Sequence, residues 1–165
     1  CCIRNGIPPF KENKMPIPQV QNDPIIRLPH LYKYGMQLSF VSSTVLSISP
    51  GICRDSNNVI DIEIGGENVE GNLNPVALSV DLSTRGINGL DTGTIAANQM
   101  YAIYILADSR YYQPTACIAC IATNTPLIPV VYDSMRLIGY WSTTGASLLN
   151  FGYYSGIGND LQAFL

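Results

Sequence analysis

The most specific chemical spacing in this chain is Cys117-Ile-Ala-Cys120, the CxxC of redox and zinc sites. A redox pair needs the first thiol at a helix N-terminus, where the dipole lowers its pKa. Here the motif lies in TACIACIAT, whose small and β-branched residues read as a strand. Residues three apart on a strand point to opposite faces. Zinc would need two more ligands, and the chain has a single histidine, His30, set between Pro29 and Leu31 as a packed junction residue. With Cys1, Cys2 and Cys53 the cysteines number five, an odd count that describes no closed disulfide framework. The expected role is that of buried core thiols.

The remaining polar candidates read as turn chemistry. Asp55 and Ser56 follow Cys53-Arg54 and are placed to bond their own turn's backbone, while Arg54 pairs with a carboxylate or covers apolar surface with its stem. Asp91, in Gly89-Leu90-Asp91-Thr92-Gly93, reads as a turn acid bonding backbone N–H groups. A calcium site from Asp91, Asn88 and Asp108 falls short of the six to eight oxygens that ion takes. Arg136 is expected to snorkel or to pair with Asp133. Tyr111, Tyr112, Tyr140, Trp141, Tyr153 and Tyr154 could stack on sugars, but core or interface packing is the simpler reading. Glycoside hydrolysis would also require two carboxyl groups facing each other across a cleft. Asp55, Asp61, Glu63, Asp91 and Asp108 fall mostly in turns or on one strand face. No enzyme, metal or cofactor is expected.

The elements that hold these residues centre on Arg85–Asp108. Gly86, Gly89 and Gly93, with Asn88 and Asp91 among them, open that stretch with turns. Met100–Leu106 follows, apolar on both alternating faces, as in a central strand covered on each side. Around it the pattern predicts short strands at Met36–Val41, Val45–Ser49, Val59–Ile64, Val76–Leu82, Thr115–Thr123, Val130–Trp141 and Ser147–Tyr154. In Val59–Ile64, Asp61 and Glu63 share one face and Ile60, Ile62 and Ile64 the other. Gly65–Pro75 reads as a long polar loop and Asp108–Pro114 as a hairpin-like connection. The fold expected is all-β, an antiparallel β-sandwich over residues 35–165, with jelly-roll-like wiring as one option.

Residues 1–34 differ. They hold six of the eleven prolines and five of the nine Lys and Arg, with no helical or strand period. Such chain favours an extended, polyproline-like path. Ile7, Phe10, Ile17, Val20, Ile25, Ile26 and Leu28 interleave it, more apolar side chains than a solvated tail carries, so the reading is an arm that orders on a partner surface. Hydrophobic residues make up 47% and charged residues only 13%, about half the usual charged share, which favours a surface engaged by neighbours. The formal net charge of −3 argues against nonspecific nucleic-acid binding, and no apolar run is long enough for a transmembrane helix. The chain begins at Cys1, not Met, which leaves room for a removed leader and makes Cys1 a lipidation candidate.

Three motifs in order carry a resemblance. They are Ser49-Pro50-Gly51-Ile52-Cys53-Arg54-Asp55-Ser56 leading into Val59–Ile64; Gly86–Gly93 continuing through Ala96-Ala97-Asn98 to Tyr101–Asp108; and Pro129–Gly139. The series resembles a widespread β-sandwich domain of tailed-bacteriophage virion proteins, found in fibre, collar and other appendage polypeptides. The likeness covers about residues 35–141. Val131 stands where that domain has glycine, and the proline-rich arm lies outside the match. The resemblance implies a structural, non-enzymatic virion protein that multimerises through its sandwich and arm, with copies of itself and other virion proteins as partners. The alternatives are a lipid-anchored or secreted bacterial envelope protein in a secretion-system core complex, at the outer membrane, periplasm or cell surface, and a carbohydrate-binding module facing host glycans.

Overall fold

The computed structural model describes residues 29, 32–65, 77–110, 115–145, 149–155 and 161–164, the last two stretches by backbone path alone. The arm residues Ile7, Phe10, Ile17, Val20, Ile25, Ile26 and Leu28, and also Cys1, His30, the Tyr111–Tyr112 pair and most of the 65–75 loop, lie outside the described residues.

All regular structure among the described residues is β, in two sheets. The smaller has three strands, β1 (Lys33–Gly35), β4 (Gly51–Arg54) and β5 (Asp61–Ile64), in the order β1-β4-β5. The larger contains β2 (Leu38–Phe40), β3 (Val45–Ile48), β6 (Leu78–Arg85), β7 (Gly89–Leu90), β8 (Met100–Ala107), β9 (Ala116–Ile121), β10 (Ser134–Thr143), β11 (Leu149–Ser155) and β12 (Leu161–Phe164). Its order is β12-β11-β10-β8-β9-β7-β6-β3-β2, and β11 approaches β2, so the sheet curls toward closure. Pairing is antiparallel except at β7, which runs parallel to both β6 and β9.

The two sheets share one long hairpin. β2 pairs with β3 in the large sheet and β1 with β4 in the small one, and the chain bends between them at Met36 and Pro50. Met36 has φ 54°, and its N–H donates to the Pro50 carbonyl at 3.2 Å. This bend is why the strand expected from Met36 begins at Leu38. A strand that switches sheets at a corner ties both layers to one core.

β8 lies between β10 and β9, the central position its two apolar faces predict. Tyr101, Ile103 and Ile105 enter the main core with Leu46, Ile62, Val80 and Ile138. On the other face Leu106 packs with Ala116, Ile118 and Tyr132. Among the described residues, that second face is covered by the segment leading into β10: Tyr132 is buried and its N–H donates to the Pro129 carbonyl at 2.9 Å. The strand expected from Val130 therefore starts only at Ser134, and Val130 and Val131 form the tip of a tight turn.

Candidate functional site

The first motif is a hairpin clasp. Asp55 is fully buried, and its carboxylate accepts N–H bonds from Val59 (2.6 Å), Ile60 (2.9 Å) and Asn57 (3.1 Å). Asn58 takes φ 59°, a left-handed conformation that Asn tolerates better than most residues. Arg54, 2% exposed, donates from Nε to the Asn58 side chain (3.0 Å), from one terminal nitrogen to Asp61 (2.9 Å) and from the other to the Asn58 carbonyl (2.8 Å). All three guanidinium nitrogens are thus committed to the loop and the first residue of β5. Val59 and Ile60 belong to this loop, which is why β5 begins at Asp61.

The second motif is a wedge between β6 and β9. Gly86 and Gly93 have φ of 90° and 78°, and Asn88 has φ 62°. The Asn88 side-chain oxygen accepts from the Cys117 N–H (3.1 Å) and lies 3.3 Å from Cys117 Sγ, while its own N–H donates to the Cys117 carbonyl (2.7 Å). On the other side the Asp81 N–H donates to the Asn88 carbonyl at 2.8 Å. Gly89 has no room for a side chain: a Cβ there would lie 2.5 Å from Thr84 Oγ1 and 2.6 Å from its carbonyl oxygen. Asp91 accepts from the N–H groups of Thr92 (2.6 Å) and Leu127 (3.1 Å). The long 122–133 connection is thereby pinned to the wedge.

The third motif is the landing strip of the first. The Ser56 N–H donates to the Met135 carbonyl (2.8 Å), and Lys33 Nζ to the Ile138 carbonyl (3.0 Å). Both acceptors lie on the part of β10 that precedes most of its pairing with β11, which begins at Gly139. Asp133 does not reach Arg136 as expected; its carboxylate accepts from the N–H (2.8 Å) and hydroxyl of Ser109. Arg136 is 9% exposed and close enough to Lys33 and Cys53 to influence their titration. Sequence reading missed this seam because Lys33 opens a strand of only three residues at the end of an irregular, proline-rich segment. Its signal is the register Lys33–Cys53–Ile62 across the small sheet, visible only once pairing is known.

Burial brings Lys33 down to about 8, with Arg136 acting the same way and Cys53 opposing. Burial pushes the Cys53 and Cys117 thiols up to about 12 and Cys120 up to about 11. Thiols so shifted are poor nucleophiles at neutral pH. Cys117 and Cys120 occupy β9 as unbonded thiols, opposite Ile105 and Ala102 of β8, which lie on opposite faces. Asp108 is held below the usual carboxylate range by Arg110, which lies 2.9 Å away, so Asn88, Asp91 and Asp108 serve three different partners. Among the described residues no group of three His, Cys, Asp or Glu side chains could hold a metal ion. Of the aromatic candidates, Trp141 is 5% exposed in the main core, which removes it as a sugar platform. Tyr140 is half-buried.

Several large apolar side chains, in contrast, face solvent. Val130 is fully exposed, and Leu127 (66%) and Val131 (53%) lie beside it on the same connection. Tyr34 (71%) stands on the outer side of the small sheet, and Phe40 and Val41 are exposed at the end of β2, an edge strand. A tight turn with two β-branched residues at its tip departs from ordinary turn chemistry, which favours Gly, Asn, Asp and Pro. The chain matches no described protein family, no curated protein and no solved structure.

Proposed function

We propose that this chain is a structural, non-enzymatic domain of a tailed-bacteriophage virion, a tail, collar, fibre or capsid-decoration component that multimerises through its sandwich and N-terminal arm. The observation that carries the reading is how the motif residues are used. Arg54, Asp55, Asn88 and Asp91 all spend their polar groups on their own turns and on the ties between strands. The polar chemistry is directed inward, to rigidity, and the surface offers apolar side chains at Leu127, Val130 and Val131. A rigid body with an apolar contact surface and a low charge density suits repeated packing against neighbours. The three ordered motifs and their resemblance to virion appendage domains supply the setting.

The test is the company the native protein keeps. It should co-sediment with nucleic-acid-containing particles and be present in multiple copies per particle. Recovery in an envelope fraction, with a diacylglycerol and an acyl chain on Cys1, would replace this reading with the envelope alternative. Helices long and apolar enough to cross a membrane are lacking among the described residues.

A further inference from the structure

Two packing demands meet at residues 88 and 89 of the wedge. Residue 88 takes φ 62° and must also bring a side-chain oxygen to the Cys117 N–H, two tasks that Asn performs together and Gly could not. Residue 89 has no room for a Cβ against Thr84, so only Gly fits. The fold therefore asks for Asn followed by Gly, the pair most prone to react with itself. With no side chain on the following residue, its backbone nitrogen has an open approach to the Asn carboxamide.

That reaction needs no cofactor. The Gly89 nitrogen attacks Asn88 Cγ and a C–N bond forms. The side-chain nitrogen leaves as ammonia, carrying the proton that Gly89 gives up. Water then opens the cyclic imide at either carbonyl, leaving aspartate or isoaspartate.

In the native wedge every group that must move is tied. The Gly89 N–H donates to the Gly86 carbonyl at 3.0 Å, and Asn88 Oδ1 accepts from the Cys117 N–H at 3.1 Å. The Asn88 backbone is held on both sides, its N–H by the Cys117 carbonyl (2.7 Å) and its carbonyl by the Asp81 N–H (2.8 Å). Burial is not the shield, because Asn88 is exposed to water. The hydrogen bonds are the shield. Apart from the Gly86 bond they all cross to β6 or β9, so they are lost together when β7 leaves its place between those strands.

From this geometry we infer that Asn88–Gly89 is a latent self-modification site, closed to imide formation while β7 is seated and open when β7 is released. Isoaspartate at residue 88 lengthens the backbone ahead of Gly89, which throws the Asp81–Gly89 and Leu90–Ala119 pairs out of register. A body that has opened is thereby marked, and it cannot reseat β7 as before.

The experiment follows the peptide containing residue 88 by mass spectrometry while the full-length chain is held at mildly alkaline pH, either native or unfolded in guanidinium chloride. Loss of the side-chain nitrogen is expected to run at least about a hundredfold more slowly in the native chain, because the rate follows the small open population. Leu90→Ala, which removes a buried anchor of β7, should raise the native rate about tenfold or more and leave the unfolded rate unchanged. Should that variant fail to fold, sub-denaturing guanidinium chloride loosens the native chain instead, and the rate should climb before the global transition. Equal rates in native and unfolded chains overturn the shielding, and an unfolded chain in which Asn88 stays intact overturns the site. A native rate that a folded Leu90→Ala leaves unchanged, or that climbs only with global unfolding, overturns release of β7 as the opening step.

Discussion

At the scale of single residues, the motif positions are decided by what they hold. Asp55 satisfies three loop N–H groups, so Asp55→Ala takes that partner from all three and leaves the buried Ile60 N–H unpaired. Such a loss is expected to cost about 2–4 kcal/mol, measured by urea unfolding, without moving any remote element. Gly89→Ala should cost about as much for a different reason, because its Cβ would press on Thr84 backbone. Lys33 makes a pH-dependent prediction. Its folded pKa of about 8 lies below the ordinary 10.5, so the unfolded chain binds more protons between those values. Its contribution to stability is complete above the unfolded pKa and is lost as pH falls through about 8. The buried thiols run the other way above about 9, because burial raises their folded values. Stability of Lys33→Met relative to the native chain should therefore fall as pH rises from about 7.5 to 9, compared by denaturant midpoints below the range where the thiols dominate. A constant difference across that range would contradict the assignment of Lys33 as a buried cation.

At the scale of elements, the strands that show in the sequence are those whose periodicity is enforced by burial. The central β8 was legible because both of its faces are covered, and β5 and β6 because one face is: Ile62 and Ile64, and Leu78, Val80 and Leu82. The boundaries that moved did so for local reasons. Met36 turns a corner with a positive φ, Val59 and Ile60 are drawn into the Asp55 loop, and Val130–Val131 are apolar yet stand in water. Alternation counts apolar residues and cannot tell a buried valine from an exposed one. The two-residue β7 left no periodic trace at all; only its glycines and Asn88 marked it, and they marked it as a turn. Its parallel insertion between β6 and β9 depends on the Asn88–Cys117 bonds, which join residues far apart in sequence. Amide hydrogen exchange should follow this architecture, with β8 amides most protected and those of the edge strand β2 exchanging first. Equal protection across the large sheet would refute the central role of β8.

At the scale of the whole molecule, the fold class was readable and the candidate surface was not. Composition already told of a lightly charged chain with a basic, proline-rich N-terminal segment. Where the apolar surface would emerge depended on the 122–133 connection crossing the outer face of β8 and β9, a tertiary fact. The central claim is that the sandwich is a self-sufficient rigid body and that residues 1–28 join it to others. It is tested most directly by measuring mass in solution over a range of concentrations, by sedimentation or native mass spectrometry, for the full-length chain and for the chain lacking residues 1–28. The account predicts a defined oligomer for the first, and for the second a folded, β-rich monomer with a cooperative unfolding transition. A full-length chain that stays monomeric, or a truncated one that assembles as well as the whole, would contradict it.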